Sequence, residues 1–190
     1  KPNDMSNIQQ INRRDFVKLF GLASTGIILG CNVSSDKKAF IPQADGTFAP
    51  NLFVQIQKDG KITLIPSRSE MGQGIRTSLA SAIADELEAD WKYITVKQAT
   101  GNAKYGNQNT DGSRSVRTRL APMRKMGAAA KMMLISAAAK KWNIAESDCK
   151  AENHHIVNKK NDAKIFFGDL VDEAAKLTIP TDETITLKKV

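Results

Sequence analysis

Leu52-Phe53-Val54-Gln55-Ile56-Gln57-Lys58-Asp59-Gly60-Lys61-Ile62-Thr63-Leu64 alternates apolar and polar residues on both sides of an Asp-Gly pair. Leu52, Val54 and Ile56 share one face of a strand, and Ile62 and Leu64 share one face of the next. Asp-Gly between two such runs is a strong hairpin signal. Outward from this hairpin the period changes. Ile75, Leu79, Ile83 and Leu87 recur at four-residue intervals with Ala80 and Ala84 beside them, which predicts a helix over 75–88. Trp91 to Ala99 returns to alternation and reads as a strand. Thr100 to Gly112 holds Gly, Asn, Gln and Asp but no Val, Leu, Ile or Met, so it reads as a long loop, and long loops in compact domains are often functional. A long helix follows from Ser115 to Trp142, rich in alanine, and Pro122 must kink or restart it because proline lacks the amide hydrogen. Ala151 to Val157 and Lys164 to Phe167 read as a hairpin, and Asp169 to Lys176 as a short helix that Pro180 ends. The tail to Val190 reads as polar and extended. The sum is an α+β fold, short strands and hairpins packed with two longer helices. With no terminating element at its end, the domain is expected to continue.

The beginning of the chain has a different character. Arg13-Arg14 stand before Asp15-Phe16-Val17-Lys18, an order similar to the twin-arginine export signal, with Asn12 where Ser or Thr is usual. The apolar stretch Leu19 to Leu29 has 11 residues, well short of the ~20 that span a bilayer. It therefore reads as a signal core. Ile28-Leu29-Gly30-Cys31 resembles a lipobox, in which the cysteine takes a lipid and becomes the new N-terminus. A buried thiol is the alternative reading of Cys31. The expected division is a signal over 1–31, a polar tether over 32–47 and a domain over 48–190, with a periplasmic protein held at the membrane only through lipid on Cys31. Net charge is +8 and falls to +6 when residues 1–30 are removed. With Cys31 committed to lipid, Cys149 has no disulfide partner.

Two segments place glycines and polar side chains just before a helix. The first is Ser69-Glu70-Met71-Gly72-Gln73-Gly74-Ile75-Arg76. Unpaired amides and partial positive charge at a helix start favour anions, and the planar amide of Gln73 suits the edge of a pterin or purine. The second is Thr110-Asp111-Gly112-Ser113-Arg114-Ser115-Val116-Arg117. Ser113 and Ser115 either cap the long helix or donate hydroxyls to phosphate oxygens, with Arg114 or Arg117 adding charge. Taken alone, the Gly-Gln-Gly loop is also compatible with a plain tight turn.

Glu70-Met71-Gly72-Gln73-Gly74 resembles the Glu-Met-Gly-Gln-Gly motif of the xanthine dehydrogenase and aldehyde oxidase family, the molybdenum hydroxylases. Ser113-Arg114-Ser115 is similar to that family's later Ser-x-Ser. The order of Phe48-Ala49-Pro50-Asn51, Asp90-Trp91, Tyr105-Gly106-Asn107 and the two motifs resembles the isoquinoline 1-oxidoreductase beta-subunit branch, over about residues 48 to 188. The resemblance implies the N-terminal part of a larger molybdopterin-binding domain. It implies molybdenum on a pterin dithiolene as the cytosine dinucleotide, with Gly72, Gln73, Gly74, Gly112, Ser113 and Ser115 as cofactor contacts. It also implies a small [2Fe-2S] subunit, a cytochrome acceptor and the rest of the large subunit as partners. Such enzymes hydroxylate N-heterocycles or oxidise aldehydes. Their glutamate base and Gly-Gly-Phe-Gly segment are absent from these residues, so the fragment is expected to be inactive alone, with no catalytic residue and no protein metal ligand. Glu70 is not that base and reads as an exposed loop residue.

Other polar groups read as structural. His154-His155 on one strand would face opposite ways and read as a solvated pair. The helix methionines read as core, and Trp91 and Trp142 as core or interface. Nucleic-acid binding through Arg114, Arg117, Arg119, Arg124 and Lys125 fits the charge but lacks stacking aromatics. A second functional reading is a small basic exported lipoprotein, a binding module without redox chemistry. The two readings differ beyond Val190: the first requires a much longer chain, the second an early stop.

Overall fold

A computed structural model describes residues 47–189. Arg13, Arg14, Cys31 and nearly all of the tether lie outside the described residues. The alternating stretch forms strands β2 (Val54–Ile56) and β3 (Ile62–Leu64), antiparallel, with Val54 opposite Leu64 and Ile56 opposite Ile62. Leu52 leaves this face and packs instead on a small cluster of Ile65, Ala99 and Tyr105. Strand β1 (Phe48–Asn51) pairs with β2 at the sheet edge. Its Pro50 is tolerated there because an edge strand has amide positions that need no partner.

Helix α1 (Ile75–Leu87) buries Ile75, Leu79, Ala80, Ile83, Ala84 and Leu87, the six apolar positions of the helical pattern. The segment after it begins as a 3-10 turn over Trp91–Tyr93, where the Asp90 side chain accepts from the Lys92 amide. Trp91 there is 47% exposed. Strand β4 (Ile94–Val96) then pairs parallel with β3. The parallel alignment runs on: the Lys97 and Ala99 amides donate to the Leu64 and Pro66 carbonyls. The four-stranded sheet therefore has the order β1-β2-β3-β4, with α1 as the crossover between its two parallel strands.

Helix α2 (Arg114–Trp142) is continuous through Pro122. The expected restart does not occur: proline removes one amide, whereas Met123, Ala130, Met133 and Leu134 beyond it are buried in the common core. At Gly127 the two helices touch. A Cβ there would lie 2.3 Å from the Ile83 carbonyl oxygen, so only glycine permits the approach.

Beyond α2, strands β5 (Cys149–Glu152), β6 (His155–Asn158) and β7 (Lys164–Phe166) form an antiparallel sheet, followed by α3 (Val171–Ala174). The single strand expected over 151–157 is in fact two strands. Asn153 and His154 both have positive φ, 44° and 69°, and make the turn between them. His154 is not solvated: it is fully buried. Its Nδ1 accepts from the Asp90 amide, its Nε2 faces the Gly60 carbonyl, and Tyr93, Phe166 and Phe167 surround the ring. Burial holds its pKa below the ordinary histidine value.

The tail docks as well. Glu86, fully buried on α1, receives Arg124 Nε at 2.7 Å and the Lys188 amide at 3.1 Å, while Arg124 also donates to the Lys188 carbonyl. Paired buried charge of this kind ties α1, α2 and residue 188 together. Replacing Gly127 with alanine is expected to lower stability by about 1–3 kcal/mol through overpacking, even though alanine is the better helix former. Chemical denaturation of Gly127→Ala against the parent measures this.

Candidate functional site

The loop before α1 is organised by one carboxylate. Glu70 Oε1 accepts from the amides of Gly72 (2.8 Å) and Gly74 (2.9 Å), and Oε2 accepts from the amide of Arg76 (3.1 Å). The amides of Gly74, Arg76 and Gly72 hold the carboxyl below its ordinary pKa. Glu70 is thus the anion at the start of α1, supplied by the chain itself. The amides of Gly72, Gly74 and Arg76 at this helix start therefore already have an acceptor within the chain. Gly72 and Gly74 have φ of 93° and 77°, a region that side chains disfavour, so the glycines are required by the turn.

Gln73 folds back on the same loop. Its Oε1 accepts from the Met71 amide at 2.6 Å and its Nε2 donates to the Ser69 carbonyl at 2.9 Å. Each terminus of the amide keeps capacity for one more bond. The loop is joined to the second motif by the Ser69 amide, which donates to Thr110 Oγ1 at 3.0 Å.

At the start of α2 the geometry differs. Ser113 is the N-cap residue at φ 54°, and its side chain makes no capping bond. The capping reading of Ser113 therefore gives way. No acidic residue stands in the first turn of α2, and Asp111 just before it is paired with Arg114. The two motifs line one open cleft of about 550 Å³, whose walls include Met71, Gln73, Thr110, Gly112, Ser113 and Ser115. Ile75, Ser78, Asp111 and Val116 complete it. Gly72 and Gly74 shape the loop without lining the cleft. Met71 and Val116 are 68% and 48% exposed and give the cleft apolar surface, and Ser78, Thr110, Ser113 and Ser115 bring hydroxyl-bearing side chains to its lining.

Four of the five basic residues that fit a nucleic-acid reading by charge are engaged within the fold, and the fifth, Arg117, is exposed. Arg124 serves Glu86, Lys125 serves Asp182, Arg119 donates to the Asn107 carbonyl and Arg114 serves Asp111. Thr110 and Val116 stand in the second motif segment without a role of their own there, and Ser78 lies outside both segments. Ser78 and Val116 carry a local signal, lying one turn beyond Gly74 and Gly112 respectively.

The chain matches the family model described as molybdopterin cofactor-binding domain over residues 4–189. It belongs to that family. Among curated relatives, it is 27% identical to isoquinoline 1-oxidoreductase subunit beta of Brevundimonas diminuta, covering 85% of this chain and 22% of that protein. It is 31% identical to the membrane-bound aldehyde dehydrogenase [pyrroloquinoline-quinone] of Gluconacetobacter polyoxogenes, covering 85% of this chain and 21% of that protein. Quinoline 2-oxidoreductase from Pseudomonas putida 86 superposes with a TM-score of 0.52 at 20% identity, over 70% of this chain and 17% of that one. That likeness speaks for the fold alone, an α+β unit. The chain spans about a fifth of the length of these two curated relatives.

Because Glu70 contributes as a carboxylate with a lowered pKa, its contribution to stability is full above its ordinary value of 4.5 and is lost as the pH falls through the lowered native value. Glu70→Gln should remove that pH dependence. It should also speed hydrogen exchange at the Gly72, Gly74 and Arg76 amides at neutral pH. Unchanged exchange at those three amides would contradict the assignment.

Proposed function

We propose that this chain is the N-terminal cofactor-binding portion of an exported molybdenum-pterin oxidoreductase that hydroxylates N-heterocycles or oxidises aldehydes. The observation that carries the reading is the cleft, where both motif segments meet although 37 residues separate Gln73 from Thr110. Its lining fits a flat polar heterocycle with an anionic tail. Gln73 offers a spare donor and acceptor to a ring edge, and Met71 and Val116 offer apolar surface to a ring face. Ser113 and Ser115 offer hydroxyls at a helix start whose partial positive charge favours phosphate. A bound molybdenum-pterin would supply the redox chemistry. The residues of this chain bind and orient it.

The cytosine dinucleotide form, the [2Fe-2S] subunit and the cytochrome acceptor belong to this proposal, supported by the family membership and by the subunit names of relatives. The proposal also includes twin-arginine export on Arg13 and Arg14 and a lipid on Cys31. Twin-arginine transport carries folded proteins, which suits a cofactor loaded before export. The reading as a cofactor-free binding module has less support, because it leaves the shared cleft and the family match without a role.

Expression of the full-length protein with its iron-sulfur partner, followed by metal and nucleotide analysis, should yield molybdenum, pterin and cytosine nucleotide. Gln73→Ala should lower cofactor occupancy several-fold while the fold, followed by circular dichroism, is retained. Pyrroloquinoline quinone in place of molybdenum and pterin, or no cofactor at all, would overturn the reading.

A further inference from the structure

Five buried side-chain nitrogen or oxygen atoms have no protein partner among the described residues: Ser67 Oγ, Arg68 Nε and Nη1, Gln98 Oε1 and Arg119 Nε. They are not scattered. Ser67 and Arg68 lie between β3 and the Glu70 loop, and Gln98 donates from Nε2 to the Arg68 carbonyl at 2.9 Å. Arg68 is 4% exposed, and among the described residues its one side-chain bond is from Nη2 to Thr118 Oγ1 at 3.3 Å on the second turn of α2. A buried guanidinium without an anionic partner is among the most costly arrangements in a protein interior.

The local charge sharpens the point. Burial first, then the positive charges of Arg119 and Arg114, lower the pKa of Arg68, and only Asp111 opposes them. Asp111 is already engaged by Arg114. Glu86 provides the contrast within the same molecule: its buried charge is met by Arg124 and the Lys188 amide. Water can satisfy a donor's geometry, but it cannot neutralise neighbouring guanidiniums. A tetrahedral oxyanion can do both, because it offers several acceptors at once to forked donors.

We propose that Arg68 and Arg119 bind a phosphate-class oxyanion behind the wall of the cleft, beneath the segment that contributes Asn107 and Thr110. Arg119 Nη2 donates to the Asn107 carbonyl and the Ser69 amide donates to Thr110 Oγ1, so this segment lies directly against both arginine-bearing elements. The oxyanion comes either from solution as free phosphate or from the phosphate of a ligand in the adjoining cleft. In the second case alone the site extends the pterin reading.

The test is titration of inorganic phosphate into the full-length protein prepared without molybdenum cofactor, read by isothermal calorimetry with chloride as the ionic-strength control. Saturable binding at a single site is expected, weakened about ten- to a hundred-fold in Arg68→Leu and in Arg119→Leu. Arg68→Lys should recover part of the loss. Arg119 is only partly buried, so its variant remains informative if Arg68→Leu fails to fold. Loss of phosphate binding on loading the cofactor identifies the ligand's own phosphate as the source. Retained binding identifies free phosphate. Phosphate binding that depends on Arg68 in a protein that takes up no pterin would remove the proposed function and leave this site standing. No saturable binding to the parent protein, or binding unchanged in both leucine variants, overturns the proposal.

Discussion

The close crossing of α1 and α2 at Gly127 sets the rest of the structure. With no Cβ at that point, the backbone of α2 rests against the Ile83 carbonyl, and the pairs formed along the crossing show that the two helices start at the same end. Ile75 and Ser78 meet Ser115 and Val116 at the cleft, while Glu86 meets Arg124 beyond it. Two helices starting side by side bring two partial positive charges together, which is unfavourable unless something anionic is near. The chain answers half of this with the Glu70 carboxylate on the α1 amides. The start of α2 has no such side chain, and that asymmetry underlies the proposed preference of the cleft for a ligand with a neutral ring at one end and negative charge at the other.

Among the described residues, a buried charge appears twice, at Glu86 and Arg68, with opposite outcomes. Glu86 is satisfied from α2 and from residue 188, so it fastens the tail over the helix pair. Arg68 has no protein anion among the described residues, although it is nearly as deeply buried. Native interiors rarely leave such groups unmatched. The contrast separates a charge that holds the fold together from one that is positioned to meet something else.

Much of the fold was legible because it is written in local periods. The Asp59-Gly60 hairpin and the four-residue spacing of α1 depend on neighbours in sequence, and both formed as their patterns require. Strand β1 was not legible, since Phe48-Ala49-Pro50-Asn51 shows no clear alternation and Pro50 argues against a strand that is not at an edge. The turn at Asn153-His154 was hidden inside an apparent strand, because its positive φ values leave no mark on a hydrophobic pattern. Glu86, Arg68 and the docking of Lys188 were beyond reach for another reason: each depends on a partner 30 to 102 residues away. At the site, the segments were legible and their internal bonding was not. Glycines and polar side chains before a helix mark the stretches around Gln73 and Ser113, but the role of Glu70 as an internal anion shows only when the loop is folded.

The central claim is that the loop at 69–74 and the start of α2 act as one binding surface. Hydrogen exchange of the full-length protein, compared with and without its cofactor, tests this most directly. The account predicts that protection rises together over residues 71–78 and 110–116 when cofactor is present. Protection of only one of these segments, or of neither, would contradict it.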